Sequence, residues 1–528
     1  MSHSLQGQST GEEKILGTKR SRKIYGNAPM LENLVMGFGV SLSLHNLIFC
    51  FIGCLLGTII GVLPGLGPTA TIAMLLSITY KFDLASAIIM LAGIYYGAQY
   101  GGTITSVLLK IPGEASSVVT IIDGYQMALQ GKAGKALGIA AFGSFIAGTA
   151  GTVGLSLIAP PLARWALAFG PPEYTSLLLL GLTLVIYLGS GSILKAVLMG
   201  ALGLALGTVG MDPVTAVERF SFGTMTLLEQ INMAALAMGI FGIAEILFMA
   251  ENIEARSSRE AVQTPSRLRE LLPNWADWKR SVKPIGRGSL LGFLLGILPG
   301  GGAVISSFVS YAVEKRFSKY RKELGKGAIE GVAGPESANN AAVSGNFIPL
   351  LTMGIPANVC MALLLSAFML HGVIPGPLIM KEHPEVFWGV ITSMYIGNII
   401  LLILNVPLIR VFVKITEIPY GILSPLIVLV CVIGSFSLNN NSVDVILMLI
   451  FGLVGYLMKK FEYEPAPLVL AFVIGPMFEK ALRQSLIMSG GNMSIFFSRP
   501  ISLILIVLVL LTVLSHIATI MFKRDRTS

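Results

Sequence analysis

The residues of this sequence with the strongest potential for ligand chemistry lie beside Pro-Gly interruptions of long uncharged segments. The first interruption is Gly61-Val-Leu-Pro-Gly-Leu-Gly-Pro-Thr69, inside an uncharged run from Asn33 to Tyr80. Prolines remove backbone donors, and glycines let the backbone approach a ligand closely. Broken backbone at membrane depth is tolerated only inside protein or beside a polar cavity. Taken alone, the stretch is equally compatible with a loop between two ordinary spans.

A second interruption, Gly296-Ile-Leu-Pro-Gly-Gly-Gly302, repeats this signature in the other half of the chain. Further short matches recur in the same order: Pro64 with Pro299, Lys110-Ile-Pro112 with Gly354-Ile-Pro356, Pro161-Leu-Ala-Arg164 with Pro407-Leu-Ile-Arg410, and Tyr174 with Tyr420. Each match is weak alone, but their shared order indicates an internal repeat.

The chemistry expected at such breaks is the binding of an anion together with a cation. Helices starting after Pro68, Pro112, Pro335 and Pro356 would aim their positive N-terminal ends inward, which suits a carboxylate. Freed carbonyls and side-chain oxygens could coordinate sodium. The predicted substrate-binding residues are Gly65, Gly67, Thr69, Thr103, Ser106, Pro112, Gly113, Ser116, Ser117, Gly300, Gly301, Asn339, Asn340, Ser344, Asn346, Thr352, Pro356 and Asn358. No metal site is assigned, although sodium could bind at backbone carbonyls near Gly65 and Gly300.

Several polar residues keep two interpretations. Asn339 and Asn340 follow Pro335-Glu-Ser-Ala, a helix-start pattern, so they either cap a helix or face the ligand. Arg164 and Arg410 favour interface anchoring. The carboxylates that could couple protons are Glu114, Asp123, Glu330 and Glu336, with ordinary solvated or capping roles favoured for Asp123 and Glu330.

Composition identifies a membrane protein built from many helices. Of 528 residues, 54% are hydrophobic and 12% are charged, about half the charged content of soluble domains. A spanning helix needs roughly 20 apolar residues, so the uncharged runs predict about 11–14 membrane segments, some of them re-entrant. The fold class expected is an all-α polytopic protein with two repeats. Many of the 59 glycines, including Gly203 and Gly207, favour helix packing.

The repeat divides the chain into five parts. We expect a disordered cytoplasmic tail at 1–29, a first membrane repeat at 30–250, a polar cytoplasmic linker at 251–287, a second repeat at 288–522 and a C-terminal tail at 523–528. The linker is rich in Arg and Lys, which are typical of cytoplasmic loops.

The remaining composition excludes several classes of protein. The net charge of +9 reports loop topology rather than nucleic-acid binding. Cys50, Cys54, Cys360 and Cys431 lie in apolar runs and are interpreted as free thiols. An intramembrane enzyme would need paired Asp, His-Glu-x-x-His or Ser-His arrangements, and none is visible in the sequence, so no enzyme activity and no cofactor are expected.

Paired halves with interrupted segments in corresponding places are typical of secondary transporters, with the substrate site where the breaks meet. We favour inverted repeats, although the sequence does not determine the parity of the crossings. A channel or a non-transporting membrane scaffold remains the alternative.

At these positions the chain resembles the large membrane subunit of the tripartite tricarboxylate transporter family, the TctA type. The resemblance covers roughly residues 30–520. The motifs that support it are Gly61-Val-Leu-Pro-Gly-Leu-Gly-Pro68, Tyr95-Tyr-Gly-Ala-Gln-Tyr-Gly-Gly102, Ile111-Pro-Gly-Glu-Ala-Ser116, Asp123-Gly-Tyr125, Gly296-Ile-Leu-Pro-Gly-Gly-Gly302, Gly325-Lys-Gly-Ala-Ile-Glu-Gly331, Pro335-Glu-Ser-Ala-Asn-Asn340, Gly354-Ile-Pro356 and His371-Gly-Val-Ile-Pro-Gly-Pro377.

The resemblance implies a multi-pass carrier of the bacterial inner membrane that takes up di- or tricarboxylates. It also implies a small membrane subunit, a periplasmic solute-binding protein, a sodium or proton gradient as the driving force, and elevator-like movement. The chain departs from the family at Ala357-Asn-Val-Cys-Met361, where Gly and hydroxyl residues are common. This departure weakens the case for citrate and leaves other di- or tricarboxylates or an aromatic acid open.

Overall fold

The computed structural model describes residues 30–63, 67–188, 192–212, 215–251, 268–415 and 420–524. The predicted N-terminal tail, residues 64–66 and residues 252–267 of the predicted linker lie outside these ranges, as do the last four residues. The described residues are mostly helical, and β1 (Gly210–Met211) and β2 (Glu218–Arg219) form a small antiparallel hairpin. The helical fold class is therefore confirmed, with one short hairpin added.

The described part of the first half contains ten helices. They are α1 (Met30–Ser41), α2 (Leu44–Val62), α3 (Pro68–Thr79), α4 (Leu84–Leu109), α5 (Val118–Leu129), α6 (Ala133–Ala166), α7 (Pro171–Leu188), α8 (Ile193–Gly207), α9 (Met225–Leu228) and α10 (Met233–Glu251). A single 3₁₀ turn, Ala115–Ser117, precedes α5, and α10 contains a π-helical turn at Met238–Ile243.

The described part of the second half contains thirteen helices. They are α11 (Leu268–Leu271), α12 (Trp275–Ile297), α13 (Gly302–Phe317), α14 (Glu330–Met353), α15 (Val359–Leu370), α16 (Ile379–Glu382), α17 (Pro384–Asn405), α18 (Ile409–Ile415), α19 (Tyr420–Asn439), α20 (Ser442–Lys460), α21 (Pro465–Met488), α22 (Ile495–Ser498) and α23 (Pro500–Arg524).

Seven helices within the described ranges are long and apolar enough to cross a membrane. They are α2, α6, α10, α17, α20, α21 and the Gly421–Asn439 part of α19. Four shorter apolar helices, Pro68–Thr79, Ile193–Gly207, Val359–Leu370 and Pro500–Ser515, accompany them. Large hydrophobic side chains such as Leu44, Leu194 and Ile504 are exposed on these helices, as expected for surfaces that face lipid.

Two helices, α4 and α14, form the centre of the molecule. Ser86–Leu108 of α4 and Glu330–Thr352 of α14 are buried without interruption. α4 packs against α2, and α14 packs against α12 and α6. Both central helices end on a left-handed residue, Lys110 at φ 58° and Gly354 at φ 71°, and an Ile-Pro dipeptide follows each.

Closely packed glycines hold α2 on α4 and α12 on α14. On α2 the glycines are Gly53, Gly57 and Gly61, and on α12 they are Gly288, Gly292 and Gly296. A Cβ atom on Gly57 would lie 2.5 Å from the Ile94 carbonyl oxygen, and one on Gly292 would lie 2.0 Å from that of Ala338. Such distances exclude any side chain, so both pairs use the small-residue packing common in membranes.

Both predicted interruptions break the helices. α2 ends at Val62, and α3 begins with Pro68 after Gly67, whose φ is 33°. α12 ends at Ile297, and α13 begins at Gly302, whose φ is also 33°. L side chains rarely adopt this φ, so each break requires glycine where the next helix starts.

One predicted helix start is wrong. Pro335 lies inside α14, five residues after the helix begins at Glu330. This position is past the first turn, so the proline removes one intrahelical hydrogen bond, and the packing of α14 against α12 and α6 keeps the helix continuous.

The structure also places the start of α12 within the predicted linker, at Trp275. Asn274 and Asp277 form a reciprocal capping box at this end. Such a box satisfies N-terminal amide donors and starts a helix even in a polar segment.

Candidate functional site

The main cavity lies where the helix breaks meet. It has a volume of about 350 Å³, within the usual range of small-ligand pockets. The first break contributes Pro68 and Thr69, and the second contributes Gly300–Ile305. The other lining residues come from α4, α7, α15, α21 and the segment after Pro112: Tyr95, Gln99, Glu114, Ala115, Val185, Asn358, Val359, Cys360, Glu464, Ala466 and Leu470.

Four helices have their N-termini at this cavity. They are α3 at Pro68, α13 at Gly302, α15 at Val359 and α21 at Pro465, and each of these residues or its immediate neighbour lines the cavity. No side chain caps the first turn of α3 or α13. Their amide donors and partial positive charges therefore face the space that a ligand would occupy.

Tyr95 is the central polar side chain of the cavity wall. Asn346 Nδ2 donates a hydrogen bond to its hydroxyl oxygen at 2.7 Å, and Asn358 Nδ2 donates another at 2.9 Å. Because the oxygen accepts both of these bonds, the hydroxyl hydrogen can be donated to a ligand. Asn358 also caps α15 by accepting a hydrogen bond from the Met361 amide at 3.0 Å.

The charged side chains at the cavity are acidic. Glu114 and Glu464 line it, whereas none of the described lining residues is Lys, Arg or His. Glu114 Oε2 accepts a hydrogen bond from the Ser116 amide at 2.7 Å. A bound anion would therefore be held by helix ends, amides and hydroxyls, and an accompanying cation would offset the acidic side chains.

A second cavity of about 400 Å³ lies on the other side of the first break. Residues of α10 and α20 form its far wall, including the ion pair between Lys459 and Glu245. Pro68, Thr69, Glu114 and Ala115 line both cavities. The start of α3 and the segment after Pro112 therefore form the partition between them.

The structure brings seven of the predicted site residues to these cavities. Gly300, Gly301 and Asn358 line the main cavity, Thr69 lines both, and Gly67, Pro112 and Gly113 line the second. Gly65 lies outside the described residues. That these seven residues contact a ligand stays a prediction.

Four predicted hydroxyl residues lie behind the cavity wall and bond to protein groups. Thr103 donates to Glu336 Oε2 at 2.7 Å, and Ser106 donates to Ser117 Oγ at 2.8 Å. Ser117 donates to the Glu114 carbonyl at 2.7 Å, and Ser116 bonds to Gln99 and Glu114. These residues form a polar layer beneath the cavity.

The predicted residues of α14 line neither cavity. Asn339 and Asn340 lie mid-helix, so the capping interpretation is wrong; they bond to Glu336 and Ser144 instead. Ser344 contacts Thr152 Oγ1 at 3.3 Å, Asn346 bonds to Tyr95, and Thr352 donates to the Ile348 carbonyl. Pro356 is buried just before Asn358.

Asp123 and Glu330 have structural partners. Asp123 Oδ1 accepts hydrogen bonds from the amides of Gly325, Gly327 and Ala328, each at 2.8 Å. It thereby ties α5 to the loop before α14. Glu330 is 1% exposed and pairs with Arg280 Nε at 2.7 Å, so the solvated role predicted for it is wrong.

Sequence reasoning missed Tyr95, Gln99, Cys360 and Glu464 as cavity residues. Tyr95 and Gln99 lie one turn apart on α4, in the polar Tyr95–Gly102 stretch that is one of the family motifs. Their spacing on one helical face would have indicated them. Glu464 offered no such signal, since it reaches the cavity only through the packing of α21.

The comparisons with known proteins agree with this architecture. The model of the "Tripartite tricarboxylate transporter TctA family" matches residues 47–470. An "Uncharacterized 52.8 kDa protein in TAR-I ttuC' 3'region" of Agrobacterium vitis is 51% identical over 498 residues, covering 94% of this chain and 98% of that protein. An "Uncharacterized protein in TAR-II ttuC' 3'region" of the same organism is 52% identical over 236 residues, covering 44% of this chain and 98% of its own length. No solved structure matches the chain. The chain belongs to the tripartite tricarboxylate transporter TctA family.

Proposed function

We propose that this protein is the large membrane subunit of a secondary active transporter that takes up a di- or tricarboxylate across the bacterial inner membrane. A sodium or proton gradient drives uptake. A small membrane subunit completes the carrier, and a periplasmic solute-binding protein delivers the substrate. Family membership supports transport, and the geometry of the main cavity supports the class of substrate.

The observation that most directly supports carboxylate binding is the convergence of several helix N-termini on one cavity. Among them, α3 and α13 have no side-chain cap, so their amide donors and a partial charge of about +0.5 at each end are available to a ligand. A substrate with two or three carboxylates could engage more than one of these ends at once. The hydroxyls of Thr69 and Tyr95 would orient it.

The acidic side chains at the cavity support cation coupling. A multiply charged anion would be repelled by an ionised Glu114 unless a proton or sodium ion entered with it. Substrate and cation would stabilise each other's binding in the same region, and this coupling favours symport. ATP need not take part.

Matching features of the two halves support an internal repeat. The breaks place Gly67 and Gly302 at the same φ, and both central helices end in a left-handed residue followed by Ile-Pro. The glycine triplets of α2 and α12 occupy equivalent places before the breaks. α5 and α15, which follow the Ile-Pro segments, both contain 12 residues. We propose that the repeats are inverted, as broken-helix repeats often are.

The partition between the two cavities supports alternating access. Thr69 and Glu114 line both cavities, so a modest movement of the first break would pass a ligand from one side to the other. An elevator-like displacement of the central helices against the outer ones is the movement we propose. Interrupted helices are suited to it because their breaks surround the ligand.

Uptake of radiolabelled citrate, succinate and malate into proteoliposomes tests the proposed function. The vesicles would contain this chain with its small subunit, and a purified solute-binding protein would be added outside. We expect saturable uptake that requires a sodium or proton gradient, requires the binding protein and shows counterflow. Empty vesicles and gradient-free vesicles are the controls.

Two results would contradict the proposal. Non-saturable flux without counterflow would indicate a channel. The absence of uptake for every tested di- and tricarboxylate, with binding protein and gradients present, would indicate a membrane scaffold.

A further inference from the structure

A buried carboxylate lies behind the main cavity, away from its lining. Glu336 is on the central helix α14 and is 0% exposed. Its recorded partners are neutral, and no Lys, Arg or His of the described chain forms an ion pair with it. An ionised carboxylate in such a position is costly unless a bound cation compensates its charge.

Oxygen and amide groups from three helices surround Glu336. Thr103 of α4 donates a hydrogen bond to Oε2 at 2.7 Å, Thr120 of α5 donates to Oε1, and Asn339 Nδ2 lies 3.3 Å from Oε2. Hydroxyl and carboxylate oxygens are the ligands that hard cations prefer. Neutral hydroxyls can also rotate to accept or donate as a proton arrives.

An unpartnered hydroxyl accompanies this group. Tyr100 lies three residues before Thr103 on α4, is 4% exposed, and has no hydrogen-bond partner among the described residues for its OH. A buried hydroxyl without a protein partner needs a water, an ion or a ligand to satisfy it.

The oxygens of Gln99 lie between Glu336 and the cavity. Ser116 Oγ contacts Glu114, which lines both cavities, and donates to the side-chain oxygen of Gln99. Thr103, one turn beyond Gln99, contacts the main-chain carbonyl of Gln99 at 3.4 Å and donates to Glu336. A cation that enters at Glu114 would therefore pass the oxygens of Gln99 and Thr103 before it reaches Glu336.

We propose that Glu336, Thr103 and Thr120 bind the coupling cation, a proton or a sodium ion, which reaches them from the cavity through Glu114. This inference rests on the proposed function. In the proton case, a carboxylate oxygen of Glu336 gains a proton and later releases it, and no other bond changes. The other titratable groups that interact with Glu336 are Glu114 and Tyr100.

Cation binding by the purified full chain in lipid nanodiscs, without any organic acid, tests the proposal. Radiolabelled sodium binding is measured with choline as the replacing ion, and carboxyl protonation is followed by infrared spectroscopy across pH. If the cation is sodium, Glu336→Gln should weaken its binding by about tenfold or more. If it is a proton, wild type should show a titrating buried carboxyl that Glu336→Gln lacks.

Glu330→Gln is the matched control, since Glu330 is a buried carboxylate on the same helix that pairs with Arg280. It should leave both signals unchanged. Should Glu336→Gln fail to fold, Glu336→Asp and Thr120→Val provide the test, and each should weaken sodium binding or shift the carboxyl titration.

The proposal is overturned if Glu336→Gln binds sodium like wild type and keeps every carboxyl signal, or if wild type shows neither signal. These readouts need no substrate. If wild type binds the cation but takes up no carboxylate in the proteoliposome assay, the proposed function alone is contradicted. Gradient-driven uptake that persists in Glu336→Gln would contradict this inference alone.

Discussion

Tyr95 shows how one side chain connects the two halves of the molecule. Its hydroxyl on α4 accepts hydrogen bonds from Asn346 on α14 and from Asn358, which starts α15. Asn358 lies beside the break at Pro356, so the hydroxyl fixes the position of that break relative to the first half. It also faces the main cavity.

Tyr95→Phe should raise the KM of carboxylate uptake severalfold. Removing the hydroxyl leaves two amide donors without their acceptor, which costs about 1–3 kcal/mol, and removes a donor from the cavity. Uptake kinetics and thermal unfolding of the purified variant measure both effects.

Tyr96→Phe is the neighbouring control. Tyr96 is 3% exposed, and its hydroxyl contacts Cys50 Sγ at 3.7 Å, away from the cavity lining. Equal KM values for the two variants would show that the Tyr95 hydroxyl does not contribute to the site.

The positions of the helix breaks were easier to predict from the sequence than the partners of individual polar side chains. Pro-Gly runs are local signals, so Thr69, Gly300 and Asn358 could be located from them. Thr103 and Asn339 were equally polar in sequence, but tertiary packing directs them to Glu336 rather than to the cavity. Which polar groups satisfy one another is decided by distant contacts that a single sequence does not contain.

At the scale of elements, the start of α13 is the most constrained point of the site. Gly302 has φ 33°, and a Cβ atom there would meet nothing within 4 Å. The constraint is therefore conformational rather than steric. Its counterpart in the first half, Gly67, has the same φ and equally open surroundings.

Gly302→Ala should reduce uptake while leaving membrane insertion intact. An L-residue in the left-handed region costs roughly 1–2 kcal/mol, and the chain can relieve this cost by moving the start of α13 away from the cavity. Initial uptake rates and the Tm of the purified variant are the measurements.

Gly286→Ala is the paired control. Gly286 lies within α12, where a Cβ atom also meets nothing within 4 Å, and alanine favours a helix interior by about 0.5–1 kcal/mol. This variant should keep full uptake. If both variants transport like wild type, the geometry of the second break does not control the site.

The start of α12 illustrates why element boundaries were harder to predict than breaks. Charged residues between Trp275 and Arg287 resembled a linker, yet the Asn274–Asp277 capping box and packing on α14 make this segment helical. At Pro335 the sequence predicted a helix boundary where none exists, because burial within α14 outweighed the tendency of proline to interrupt a helix. Tertiary contacts decided both cases.

At the scale of the whole molecule, transport requires the walls of the main cavity to move relative to each other. Ile305 on α13 and Leu470 on α21 both line it, and α13 follows the second break.

Cross-linking Ile305→Cys to Leu470→Cys with a short bifunctional reagent should block uptake. If the reagent has a reducible spacer, a reductant should restore uptake. The single-cysteine variants, treated identically, are the controls, in a Cys360→Ser background because Cys360 lines the same cavity.

Uptake that continues at the wild-type rate in the fully cross-linked protein would exclude relative movement of these two walls.

The helical class and the paired breaks were predictable from composition and repeated motifs. The meeting of α21 with α8 and α7 was not, because it joins segments far apart in sequence through glycine contacts such as Gly203 against the Leu468 carbonyl.

The most direct test of the central claim is substrate protection at the convergence of the helix N-termini. Thr69→Cys in a Cys360→Ser background places one thiol at the partition between the cavities, and Thr208→Cys at the half-buried C-cap of α8, outside both linings, serves as the reference. Modification by a small methanethiosulfonate reagent is timed with and without citrate, succinate or malate, in the presence of sodium. We predict that at least one of these carboxylates slows labelling at position 69 and leaves position 208 unchanged. Identical rates at position 69 with every carboxylate that the transporter takes up would contradict the claim that the substrate binds in this cavity.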